Sequence, residues 1–113
     1  MIAAVLLAAA LVPSAVPMKK TVSLADNFFT VKTVTVAEGA TVTWKWPGFE
    51  EAGDVHDVRL KSGPKGAKKF ASEQAASDYS FKRRLTVPGT YKLTCLIHPT
   101  TMSQTVKVGS KRS

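Results

Sequence analysis

The stretch Thr41-Val42-Thr43-Trp44-Lys45-Trp46 reads as a β-strand. Val42, Trp44 and Trp46 occupy every second position and so lie on one face, with polar residues on the other. A strand carrying that much apolar surface on one side must lie against a second layer. Pro47-Gly48 ends it.

The same period recurs along the chain. Lys20 to Leu24 is a short candidate strand, Asp26-Asn27 a turn, and Phe28 and Phe29 follow. Val31 to Val36 alternates and is closed by the turn Glu38-Gly39. In His56 to Lys61, His56, Val58 and Leu60 share the inner face, which leaves Asp57, Arg59 and Lys61 facing water. Ser62 to Ser77 is long and irregular, with one expected helical turn around Ala71 to Ala76. Asp78 to Leu85 alternates through Tyr79 and Phe81, and Pro88-Gly89 turns. Tyr91, Leu93 and Cys95 share the inner face of Thr90 to Cys95, and the last strand buries Gln104, Val106 and Val108. Tyr91 fits two roles, a core tyrosine or a tyrosine corner whose hydroxyl bonds nearby backbone. Seven or eight short strands with turn signals between them predict an all-β chain, a sandwich or barrel.

The first 12 residues, Met1 to Val12, are almost wholly apolar and stop at Pro13. The run is too short to span a bilayer but suits the apolar region of a signal peptide, with Ser14 and Ala15 near a cleavage point. Residues 1–17 are therefore expected to be a signal segment and 18–113 one domain, exported to the periplasm, cell surface or exterior. An uncleaved anchor is the alternative. The net charge is +8. Acids gather around His56 as Glu50, Glu51, Asp54 and Asp57, and basic residues dominate Lys61 to Lys69, Lys82 to Arg84 and the tail. Such a balance can draw nucleic acid, anionic lipid or an acidic partner. No nucleic-acid motif accompanies it, and a solvated basic face also accounts for it.

The chain has one cysteine and two histidines. One cysteine excludes an internal disulfide, and in an exported protein a lone thiol needs a reason. Cys95 ends a strand, the following loop carries His98 and Met102, and His56 is the other histidine. Each alone is bland: a core histidine, a small buried thiol, a loop histidine, a core filler. Together, thiolate, imidazole and thioether in the pattern Cys-x2-His-x3-Met suit a loop folded over copper. A structural zinc site wants four strong ligands. A thiolate-bridged binuclear copper centre needs a second cysteine, and a catalytic copper needs further histidines. What remains is one mononuclear site of His56, Cys95 and His98 with weak axial Met102, the donor set of blue-copper electron transfer.

Val42 to Trp46 followed by His56-Asp57-Val58, and Gly89-Thr90-Tyr91 leading to Cys95-Leu96-Ile97-His98, resemble the two signatures of the cupredoxins of plastocyanin and halocyanin type. The similarity runs from about Thr21 to Val108. It implies a Greek-key β-sandwich, copper ligands His56, Cys95, His98 and Met102, and one-electron transfer between redox proteins such as cytochromes or membrane oxidoreductases by a monomer that is not an enzyme. A copper carrier or sequestration protein on the same fold is the alternative. Two departures stand out. Plastocyanins space the second histidine and the methionine more widely than Pro99-Thr100-Thr101 does, and Asp57 stands where many members have an asparagine that ties the two ligand loops together; a like role would have its carboxylate accept a hydrogen bond from the loop near Cys95, and an exposed acid is the alternative. Pro47, Phe49 and Pro99 are candidates for an apolar rim around the site, with His98 as the electron port.

Overall fold

The computed structural model describes residues 16–25, 27–48 and 54–110. Residues 1–15 of the expected signal segment with its cleavage point at Ser14 and Ala15, the turn residue Asp26, Phe49, Glu50 and Glu51, and the basic tail lie outside the described residues.

Eight strands form two four-stranded sheets. The strands are β1 (Lys19–Ala25), β2 (Phe28–Phe29), β3 (Thr33–Ala37), β4 (Ala40–Trp46), β5 (Arg59–Ser62), β6 (Tyr79–Leu85), β7 (Gly89–Thr94) and β8 (Ser103–Gly109). One sheet has the order β2-β1-β4-β6 and the other β3-β8-β7-β5. The β1/β4 and β3/β8 pairs are parallel and the others antiparallel. From β2 to β7 every connection changes sheet, which makes the expected Greek-key sandwich.

The alternation in β4 fixes its register. Val42 and Trp44 are fully buried and Trp46 is nearly so, whereas Lys45 is exposed. A slip of one residue would turn both tryptophans to water, at a cost of about 1.5–3 kcal/mol for each large apolar side chain. Val22 and Leu24 of β1, Leu93 of β7 and Val106 of β8 complete the core. Gln104 is buried among them at little cost because it is satisfied at both ends. Its Oε1 accepts the Trp44 indole N–H at 2.8 Å across the sandwich, and its amide nitrogen donates to the Val31 carbonyl at 2.7 Å. The Tyr91 ring is buried and its hydroxyl donates to the Val87 carbonyl at 2.7 Å, the corner bond. Burial raises its phenol above the ordinary value of 10.0, partly offset by that hydrogen bond. Gly89, at φ +138°, could carry no side chain: a Cβ there would lie 2.6 Å from Pro64 Cβ.

The long stretch between β5 and β6 departs from expectation. The helical turn expected at Ala71 to Ala76 is not formed. The segment is extended and pairs with the chain from His56 into β5: His56 and Ala75 exchange backbone hydrogen bonds at 2.9 and 3.0 Å, Ser72 N–H donates to the Val58 carbonyl and Leu60 N–H to the Phe70 carbonyl. β5 is an edge strand, and its outward backbone groups need partners. Satisfying them outweighs a single helical turn, whose nucleation is unfavourable. The pairing also moves the regular strand. β5 starts at Arg59, and His56 is held by an isolated bridge rather than within a continuous ladder.

Candidate metal centre

One end of the sandwich gathers the ends of β4 and β7, the start of β8 and the segment before β5. Backbone bonds close the loop after β7. Cys95 N–H donates to the Met102 carbonyl at 3.1 Å, Met102 N–H to the His98 carbonyl at 2.9 Å and His98 N–H to the Cys95 carbonyl at 3.2 Å. Thr94 Oγ1 also donates to the Met102 carbonyl at 3.2 Å. The loop therefore returns on itself, with Cys95 and Met102 side by side at its neck. Both are fully buried. His56 comes from the other side, anchored by its bridge to Ala75 and by the Trp46 indole N–H, which donates to its carbonyl at 3.3 Å.

His56, Cys95 and His98 converge, with one ligand atom from each lying within 4.8 Å of the others. The two imidazoles are 5.1 Å apart between centroids. Donors bonded at about 2.0 and 2.3 Å to one ion, roughly 120° apart, lie about 3.7 Å from each other. The separation of Cys95 Sγ from His98 Nδ1 is 3.8 Å, so that pair already has the spacing of two ligands of one ion. A thiolate with two imidazoles, buried and three-cornered, suits copper.

The surroundings distinguish the two histidines. His56 is fully buried, while 18% of the His98 side chain is exposed. His98 Nε2 points outward and lies 3.6 Å from the carboxylate of Asp54, itself largely in water. Leu96, Ile97 and Val55 leave apolar surface exposed beside the ligands in sequence. Of the expected rim, Pro99 is exposed, Pro47 is half-buried and Phe49 lies outside the described residues.

Asp57 accepts the expected hydrogen bond from the loop beside Cys95 but corrects the expectation that it faces water. Alternation along residues 56–61 puts it in water, yet it is fully buried. Its backbone N–H donates to Cys95 Sγ at 3.4 Å, and its carboxylate accepts the Leu96 N–H at 2.7 Å. The second carboxylate oxygen lies 3.5 Å from Arg59 Nε. The chain at 56–58 is outside a regular ladder, and the ligand loop folds over it. Asp57 is thus enclosed by the loop whose backbone it satisfies. Arg59 and Asp54 are contributors that reading the strand pattern missed. Asp54 lies in the acidic stretch around His56, whereas Arg59 gives no signal beyond sharing a face with Asp57.

Comparison with known proteins agrees with this geometry. The family model described as copper binding proteins, plastocyanin/azurin family, matches residues 16–109. Amicyanin from Paracoccus versutus is similar in structure, with a TM-score of 0.66 and 26% identity over 86% of this chain and 84% of that one. A reduced amicyanin mutant matches with a TM-score of 0.67 and 24% identity, covering 86% of this chain and 85% of that one. The copper-containing nitrite reductase of Thermus scotoductus matches with a TM-score of 0.64 and 24% identity over 81% of this chain, which spans only 22% of that enzyme. No match among curated protein sequences reaches significance. His56, Cys95 and His98 are positioned to bind one copper ion.

Proposed function

The chain belongs to the plastocyanin/azurin family of copper binding proteins, and from that premise we propose that it is a one-electron carrier whose ligands are His56, Cys95, His98 and, axially, Met102. The convergence of one thiol and two imidazoles at a buried sandwich end carries this reading. Bound copper supplies the Cu(I)/Cu(II) couple.

The chain's own residues do the rest. The sandwich holds Cys95 and His56 from separate elements, so the donor spacing is set by the fold and ligand movement stays small when the charge changes. The Asp57 N–H on Cys95 Sγ withdraws charge from the sulfur and fixes its direction. Burial of His56, Cys95 and Met102 excludes water. His98 alone of the four combines a position among the ligands with partial exposure, which suits it as the port. Leu96 and Ile97 offer a partner apolar surface around that port.

The partners we propose are redox proteins such as cytochromes or membrane oxidoreductases, met outside the cytoplasm. The apolar run at residues 1–12 supports export. Among the described residues no helix is long and apolar enough to cross a membrane.

An anaerobic titration tests the function. Copper-loaded protein mixed with reduced cytochrome c should lose its blue absorption as one equivalent of haem is oxidised, with rapid exchange. Exchange too sluggish to be useful, together with very tight Cu(I) retention, would instead identify a copper carrier or sequestration protein.

A further inference from the structure

A cavity of about 330 Å³ lies beside the end of β6 and the start of β7, away from the metal centre past the other end of β7. Lys68, Lys69, Arg83 and Arg84 line it, together with Phe70 and Tyr91, and no acidic side chain does. Among the described residues the ion pairs are Arg59 with Asp57 and His98 with Asp54, so none of these four cations has a carboxylate partner there. Arg84 is partly committed, since its Nε donates to the Gly39 carbonyl at 3.1 Å.

Arg83 is the unusual member. In the β4/β6 register it stands opposite Val42, as Phe81 stands opposite Trp44 and Tyr79 opposite Trp46. Those β4 residues are buried core, so Arg83 stands on the core-facing side of β6, yet at this sheet edge its side chain is exposed. Its guanidinium lies over two aromatic rings, 5.3 Å from the Phe70 centroid and 5.5 Å from that of Phe81. The rings hold the planar group in place by cation–π attraction. Among the described residues it makes no hydrogen bond. A planar fork of donors, held in place beside two lysines without a counter-charge, matches a tetrahedral oxyanion.

We propose that this cavity binds a phosphate group. The phosphate could be inorganic phosphate or the headgroup of an anionic phospholipid, and both present the same oxygens to Arg83, Lys68 and Lys69. The competing account is that an arginine on the core-facing side of the edge strand β6 only blocks edge-to-edge pairing.

The full chain should be titrated with inorganic phosphate by calorimetry, and mixed with vesicles of phosphatidylglycerol or of phosphatidylcholine. Three variants accompany it: Arg83→Gln, Lys69→Gln, and Lys107→Gln as a charge-matched control on the exposed side of β8. Saturable phosphate binding that Arg83→Gln weakens about tenfold, the scale of one charge-assisted hydrogen bond, with Lys69→Gln also weaker and Lys107→Gln unchanged, is the expected result. Binding of phosphatidylglycerol vesicles alone, with the same dependence on Arg83, identifies the lipid headgroup as the source. Binding of neither probe, or equal losses in Arg83→Gln and Lys107→Gln, overturns the proposal and leaves Arg83 as an edge guard. Vesicle binding that Arg83→Gln does not alter, without phosphate binding, overturns it as well.

Discussion

Asp57 and Leu96 lie 39 positions apart in the chain and meet at 2.7 Å, the carboxylate of one accepting the backbone N–H of the other. This bond ties the segment bearing His56 to the loop bearing Cys95 and His98. Asp57 also donates its own N–H to Cys95 Sγ, so one residue spans both halves of the site. Its side chain is only 1% exposed, and Arg59, 3.5 Å away, is the cation that balances it.

Asp57→Asn should raise the reduction potential while leaving the protein blue. Asparagine keeps an oxygen for the Leu96 N–H but removes a negative charge that favours Cu(II). Arg59→Gln should lower the potential, since it strips the counter-charge from Asp57. Protein-film voltammetry on both variants and their combination checks this. Coincident midpoints at low salt would mean that Asp57 plays no tuning role.

If Met102 is the axial ligand proposed above, Met102→Leu should keep the blue colour and raise the potential, because a weak donor favouring Cu(II) would be lost. The swap nearly conserves volume at a fully buried position, so stability should fall by less than about 1.5 kcal/mol. An unchanged spectrum and potential would assign the axial position to another group.

Removing copper should lower the melting temperature, because the folded chain assembles the ligands and the unfolded chain does not. At a free copper concentration of 100 times Kd the stabilisation is about 2.7 kcal/mol. Cys95→Ser should lose both the blue absorption and most of this shift. Equal shifts in wild type and variant, read by differential scanning calorimetry, would place the copper elsewhere.

Tyr91→Phe removes the bond to the Val87 carbonyl and should cost about 1 kcal/mol at neutral pH. The phenol's folded pKa is raised above 10.0, chiefly by burial. Its contribution is therefore complete below the unfolded value, and is lost as pH rises through the folded one, because the unfolded chain gives up the proton first. Urea melts from neutral pH to above about 10 should show wild type losing its advantage over Tyr91→Phe. A constant gap across that range would contradict the assignment.

Much of this molecule is determined by sequence alone. The alternation of Val42, Trp44 and Trp46, and of Tyr91, Leu93 and Cys95, fixes which faces are buried, because side-chain direction in a strand has a period of two. Confining the thiol and both imidazoles to Cys95, His98 and His56 leaves few metals that accept the set. Tertiary structure decided what alternation cannot reach. Asp57 reads as a water-facing residue, yet it is enclosed because the loop from Cys95 to Met102 folds over it and offers a backbone N–H. Ala71 to Ala76 reads as a helical turn, yet it is extended because the edge strand just before it and the segment bearing His56 needed its hydrogen bonds. Gln104 is placed inward by the pattern, but its partner Trp44, 60 positions away, is known only once the two sheets face each other. Local pattern dictates which way a side chain points, and the pairing of distant segments dictates what it meets.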